Sequence, residues 1–184
     1  MRKLFLAAVL AVLLPAAAVA GPYCYLEALA GGSVGANRLE AGGASVTLAT
    51  DGYTAGIGAG CDYMHNNFVG GVFARASLAR LDADLSLDSA SYTVALRAGY
   101  MINPSTLLYG LAGITTHELQ GLAGLDGKGV IVGLGAETNI GYGWRVGLEV
   151  SRSELGTFRQ GGFELRPSEL TGLVTVKRMF LFGE

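Results

Sequence analysis

From about residue 21 onward, apolar and polar side chains alternate with a two-residue period, in short runs separated by clusters of Gly, Asn, Pro and Ser. This is the pattern of half-buried β-strands rather than of helices. Eight runs stand out, at approximately 23 to 34, 46 to 63, 68 to 80, 90 to 101, 106 to 117, 129 to 140, 143 to 153 and 168 to 181. No amphipathic segment of helical length, repeat or low-complexity linker lies between them. The connections alternate in length. Those with His65-Asn66-Asn67 and Asn103-Pro104, and the one from Ile140 to Gly143, are tight turns. Those around 35 to 46, 80 to 91, 117 to 129 and 153 to 168 are longer. Short turns at one end and long loops at the other describe an antiparallel up-and-down meander.

Parity along each run sorts the side chains into two sets. In the seventh run Trp144, Val146, Leu148 and Val150 share one face and Arg145, Gly147, Glu149 and Ser151 the other. The fourth sets Tyr92, Val94, Leu96, Ala98 and Tyr100 against Thr93, Ala95, Arg97 and Gly99. The second sets Tyr53, Ala55, Ile57, Ala59 and Cys61 against Thr54, Gly56, Gly58, Gly60 and Asp62. The polar parity carries four anions, Glu27, Asp62, Glu137 and Glu149, and four cations, Arg75, Arg97, Arg145 and Lys177. Water-facing charges have no reason to cancel, whereas charges enclosed in a narrow barrel must pair, because an unpaired buried charge is strongly destabilising. Eight strands leave an interior that side chains fill, so Gly neighbours make room for Arg and Glu. The apolar parity then faces outward, which is stable only against lipid. In hydrocarbon the sheet must also close, since a free edge leaves backbone groups unsatisfied. Tyr63, Tyr100, Trp144 and Phe180 share the outward parity beside the short turns and read as an aromatic girdle at the periplasmic interface.

Composition agrees with this assignment. Of 184 residues, 51% are apolar, 15% are charged and 29 are Gly, against roughly 25% charged and 7% Gly in soluble domains. Residues 1–20 hold Arg2-Lys3, an apolar run from Leu4 to Leu14, Pro15 and Ala18-Val19-Ala20, the pattern of a secretory signal peptide cut before Gly21. That leaves one domain over 21–184, with eleven Lys and Arg against fifteen Asp and Glu and no charge block. Neither nucleic acid nor a polybasic membrane attachment is indicated.

The order of Leu96-Arg97-Ala98-Gly99-Tyr100, Asn103-Pro104, Leu107-Leu108-Tyr109-Gly110, Gly133-Leu134-Gly135-Ala136-Glu137 and Trp144-Arg145-Val146-Gly147-Leu148-Glu149, behind a signal peptide, resembles the small eight-stranded outer-membrane barrels of Gram-negative bacteria, the OmpA-type and opacity-protein-like group of the porin family. The resemblance covers essentially the whole mature chain. It implies an all-β, eight-stranded, antiparallel transmembrane barrel in the cell outer membrane, among outer-membrane lipid and lipopolysaccharide. Two departures stand out. The family closes on an aromatic at or near the C-terminus, whereas Phe180 and Phe182 are followed by Gly183-Glu184, so the last strand could run one register further. With no peptidoglycan-binding domain after the barrel, the cell-wall tether of full-length OmpA-type proteins does not carry over.

The remaining chemistry is sparse. His65 falls in a periplasmic turn and His117 at the outer end of the fifth run, so they share no metal site. Some small outer-membrane barrels are lipid A deacylases with a Ser, His and acidic triad, but no Ser follows either His by two residues, and His117 reads as a loop histidine. No catalytic residue, cofactor or metal is expected. Cys24 and Cys61 share the outward parity and face each other if the first hairpin is symmetric about Gly42-Gly43. An oxidising periplasm permits a disulfide, yet opposed strand residues sit slightly wide for one, so a bridge and two small lipid-facing residues both stand. The long connections hold Arg38, Arg80, Lys128, Arg152, Arg159 and Arg166 with Glu40, Asp51, Asp82, Asp84, Asp88, Glu118, Asp126, Glu154 and Glu164. They offer a surface for an extracellular ligand without naming one. The function expected is a structural or surface-interacting barrel plugged by paired charges. A narrow porin-like channel, a lipid A-modifying enzyme and a soluble lipocalin-like binder are the alternatives.

Overall fold

The structure, a computed structural model, describes residues 23–41, 44–82, 87–119, 126–156, 158–160 and 163–181. The signal-peptide segment 1–20, the Gly42-Gly43 tip, Asp84 and residues 182–184 lie outside the described residues. The chain forms β1 (Tyr23–Ala41), β2 (Ala44–His65), β3 (Phe68–Asp82), β4 (Leu87–Asn103), β5 (Thr106–Leu119), β6 (Asp126–Gly141), β7 (Trp144–Leu155), β8 (Phe158–Gln160) and β9 (Phe163–Leu181). Each long strand pairs antiparallel with the next, β7 pairs with β9, and β9 returns to β1. The sheet is therefore a closed eight-strand barrel of β1 to β7 and β9, and closure leaves no unpaired edge for lipid to meet.

Two expectations about the long connections need correction. The strands do not stop at about residues 34, 80, 117 and 153, but continue along the hairpins to Ala41, Asp82, Leu119 and Leu155. A further strand, β8, folds onto the start of β9 through Phe158↔Leu165 and Gln160↔Phe163. Apart from Asp84, the charges assigned to loops thus sit on strand backbone. The reason is backbone satisfaction: an antiparallel pair that has left the membrane still meets its N–H and C=O groups most completely by continuing the ladder. Charged residues there signal water, not the end of pairing.

The opposite end turns tightly. Asn66 (φ 54°) and Asn67 link β2 to β3. After Asn103, Pro104 bends the chain, and the N–H groups of Ser105 and Thr106 donate to Asn103 Oδ1 at 2.9 and 2.8 Å, a side chain standing in for a turn carbonyl. Between β6 and β7, Gly141, Tyr142 and Gly143 all have positive φ, at 97°, 52° and 74°.

Strand parity divides the two environments. Outward positions carry Ile57, Leu96, Leu134, Leu148 and Val174, more than half exposed. Inward positions carry Glu27, Asp62, Glu137, Glu149 and Lys177, each no more than 4% exposed. The inner apolar packing consists of Tyr25, Val69, Phe73, Ala95, Met101, Leu107, Tyr109 and Leu111. The rings of Tyr25 and Tyr109 fit because the facing positions lack side chains. A Cβ at Gly60 would lie 2.6 Å from the Tyr25 hydroxyl, and one at Gly135 would strike the Tyr109 ring.

Candidate functional site

The lumen has two differently lined zones. Toward the short turns, neighbouring strands direct charged side chains to one level. Glu27 (β1) faces Gly58, which faces Arg75 (β3), and Glu27 also faces Lys177 (β9), which faces Arg145 (β7). Arg75 Nε donates to Glu27 Oε1 at 2.5 Å, and its Nη1 and Nη2 donate to the two Glu149 oxygens at 2.5 and 2.9 Å. Arg97 clamps Asp62, with Nε donating at 2.8 Å and Nη2 closing the second contact, while its Nη1 donates to Glu137 Oε2 at 2.9 Å. Lys177 Nζ donates to the same Glu137 oxygen at 2.6 Å and lies 3.8 Å from Glu27 Oε2. Arg145 Nη1 donates to Glu137 Oε1 at 2.9 Å.

These contacts join Asp62, Arg97, Glu137, Arg145, Lys177, Glu27, Arg75 and Glu149 into one continuous chain. Tyr109 extends it by donating its hydroxyl to Glu149 Oε2 at 2.9 Å. Glu137 is the hub, bonded to three cations. Four positive and four negative charges enclosed together leave no net charge in the low-dielectric interior, and two-oxygen Arg clamps are the strong form of such pairs. The Tyr25 and Tyr109 rings flank the cations, with Arg97 Cζ 4.8 and 5.2 Å from their centroids and Lys177 Nζ 4.8 and 5.4 Å away. The Tyr25 and Thr175 hydroxyls are buried without a hydrogen-bond partner among the described residues.

Above this network Leu29, Leu111 and Leu173 turn inward. Among the described residues, the lumen toward the long hairpins is lined mainly by small hydroxyls. Thr93 Oγ1 donates to Thr115 Oγ1 at 3.0 Å, the Ser77 and Ser91 hydroxyls are 2.7 Å apart, and Ser33, Ser151 and Ser153 are buried. His117 belongs to this level. It is not in a loop but on β5, half-buried, opposite Ser91 of β4 and Gly127 of β6. His65 ends β2 at the other mouth. Among the described residues no three His, Cys, Asp or Glu groups converge as for a metal ion.

On the outer surface Tyr63, Tyr100, Trp144 and Phe180 all lie at the short-turn end, each 40 to 51% exposed. Tyr100 meets Phe68 edge-on at 5.1 Å, and its hydroxyl accepts a 3.3 Å hydrogen bond from Asn67 Nδ2. Cys24 faces Cys61 in the β1–β2 ladder and the two are joined in a disulfide, with Cα atoms 4.0 Å apart. The opposed strands here approach more closely than the ordinary cross-strand separation that argued against a bridge. Among the described residues, sequence reasoning passed over Glu169, which shares the lumenal parity of Lys177, and Arg178. Arg178 follows the inward Lys177, so parity alone turns it outward, into the girdle opposite Trp144.

The chain belongs to the outer membrane protein beta-barrel domain family, which matches residues 4–172, and its place is the outer membrane. Among solved structures it is similar to the outer membrane protease OmpT from Escherichia coli, at 8% identity over 89% of this chain and 100% of that one, with a TM-score of 0.51. It is also similar to the outer membrane enzyme PagL, at 14% identity over 79% and 98% with a TM-score of 0.50, and to Ail, the attachment invasion locus protein of Yersinia pestis, at 15% over 85% and 99% with a TM-score of 0.43. At these identities the likeness is one of fold. No curated protein matches the chain in sequence.

Proposed function

We propose that this protein is a structural, surface-interacting outer-membrane barrel whose lumen is shut by its own charges. The observation that carries this reading is the unbroken ion-pair chain from Asp62 to Glu149, in which Glu27, Glu137 and Glu149 have wholly buried side chains and Asp62, Arg97 and Lys177 nearly so. An ion crossing at this level would have to separate pairs held at close range in a low dielectric, and eight-stranded barrels are too narrow to route it around them. The surface role rests on strand length. About ten residues span the membrane, whereas β1 has 19, β2 has 22 and β9 has 19. With tight turns at the periplasmic end, the surplus projects outward as paired hairpins bearing charges of both signs, facing lipopolysaccharide and any extracellular ligand.

Planar-bilayer recording tests the closed lumen. Wild-type barrel reconstituted at single-molecule density is expected to show no steady conductance above the lipid baseline. A steady conductance that Glu149→Ala abolishes, with heat-modifiable gel mobility intact, would overturn the plug and make the lumen a narrow channel. Whole-cell binding with and without the β1–β2 hairpin beyond residue 35 tests the surface role. Indistinguishable binding to lipopolysaccharide-bearing and host-cell surfaces would remove it.

A further inference from the structure

Arg178 is the one Lys or Arg among the described residues that takes the outward parity at the periplasmic end. A cation there is most unfavourable at the bilayer midplane and nearly neutral at headgroup depth, and the girdle around it marks that depth. Its guanidinium is held in place by three features. Cζ lies 5.5 Å from the centroid of the Trp144 ring, its partner in the β7–β9 ladder. Nη1 donates to the carbonyl of Tyr142 at the tip of the turn. That turn bends back over it through the three successive positive-φ residues 141–143 and is pinned by a 2.8 Å hydrogen bond from Met179 N–H to the Gly143 carbonyl. Gly143 leaves the needed space, since a Cβ there would come within 2.8 Å of Nη1. The backbone conformation is one that a Tyr adopts only when its surroundings impose it.

A guanidinium has five N–H donors. One is engaged by Tyr142, and no carboxylate pairs with Arg178 among the described residues, in contrast to the four lumenal cations. The donors left over form a fork at the depth where lipid phosphates lie. We propose that Arg178, seated on Trp144 and clasped by the 141–143 turn, is a binding site for the phosphodiester of a phospholipid in the periplasmic leaflet. It takes the phosphate through the free edge of its fork, while Trp144, Phe180 and the almost fully exposed Tyr142 ring lie along the glycerol and upper acyl region. One lipid held there sets how deep this side of the barrel sits.

The test uses the whole barrel in detergent, offered equal mole fractions of dioleoyl-phosphatidylglycerol and the phosphate-free dioleoylglycerol, with retained lipid counted by native mass spectrometry. Wild type is expected to prefer the phospholipid, and Arg178→Gln to lower that preference about fivefold, the worth of one cation at a membrane surface. Arg178→Lys, which keeps the charge without the fork, should fall between and serves if the Gln variant does not fold. Equal retention of the two lipids by wild type, or an unchanged preference in either variant, would overturn the site. Trp144 is the sole tryptophan, so its emission reports the same place. An Arg178-dependent shift with inorganic phosphate alone, in the absence of phospholipid, would assign the site to the free ion and refute the lipid.

Discussion

The two zones of the lumen fill the same barrel by opposite means. Near the short turns, eight ions and two Tyr rings interlock, and glycines such as Gly60 and Gly135 stand where a side chain would collide. Toward the long hairpins the same strands present Ser and Thr, linked by isolated contacts such as Thr93 to Thr115. The first zone is a network in which each member holds several others, so removing one strands its partners in a low dielectric. The second is built mainly of small neutral groups in separate contacts, with Glu169 and the half-buried His117 as its titratable members, and losing one hydroxyl there costs little. A narrow barrel can therefore be sealed by a short cross-section of its length, leaving the rest free to vary.

The sharpest way to break this contrast is at the hub. Glu137→Ala leaves Arg97, Arg145 and Lys177 short of a carboxylate and is expected to destabilise the barrel by about 3–5 kcal/mol, read as a lowered urea midpoint in detergent micelles. A loss no larger than that of a single lumenal hydroxyl would mean the ions act independently. Next comes the outer wall. Cys24→Ser with Cys61→Ser should cost about 2–4 kcal/mol without altering the lumen, so the loss should add to that of Glu137→Ala in the combined variant. Gly135→Ala drives a methyl into the Tyr109 ring and should cost about 1–3 kcal/mol, detectable as a lower temperature of the heat-modifiable gel shift. In the hydroxyl zone Thr93→Val should cost only about 1 kcal/mol. Thr175→Val, which removes a buried hydroxyl lacking a partner, should be neutral or slightly stabilising. A large loss from Thr93→Val would erase the distinction between the zones.

The outline of this architecture was legible because lipid and lumen impose opposite demands on alternate residues. β7, with Trp144, Val146, Leu148 and Val150 against Arg145, Gly147, Glu149 and Ser151, shows both at once. The aromatic filling was legible only in part. In β3 Phe73 shares the parity of Arg75, which turns it inward, but in β5 Leu107, Leu108, Tyr109 and Leu111 are apolar on both parities, so alternation could not say that Tyr109 turns inward. A lumen needs bulk as well as charge, and bulk looks the same as belt. Strand ends were obscured for the reason given above, since exposed charges continue on paired backbone. His117 shows the consequence, reading as a loop residue although it stands in a ladder opposite Ser91. Arg178 was recoverable from parity alone, by noting that two adjacent cations on one strand cannot both face inward.

The covalent link between Cys24 and Cys61 fixes more than a distance. A slip of one residue in any strand pair exchanges its lumenal and lipidic faces, and in the first hairpin such a slip would turn Glu27 toward hydrocarbon. β1 is also the strand that β9 must find to complete the cylinder, with Cys24 itself beside Phe180. Once the sulfurs are joined, β1 and β2 hold a single register, so the strand against which β9 closes the cylinder already has its lumenal and lipidic faces assigned.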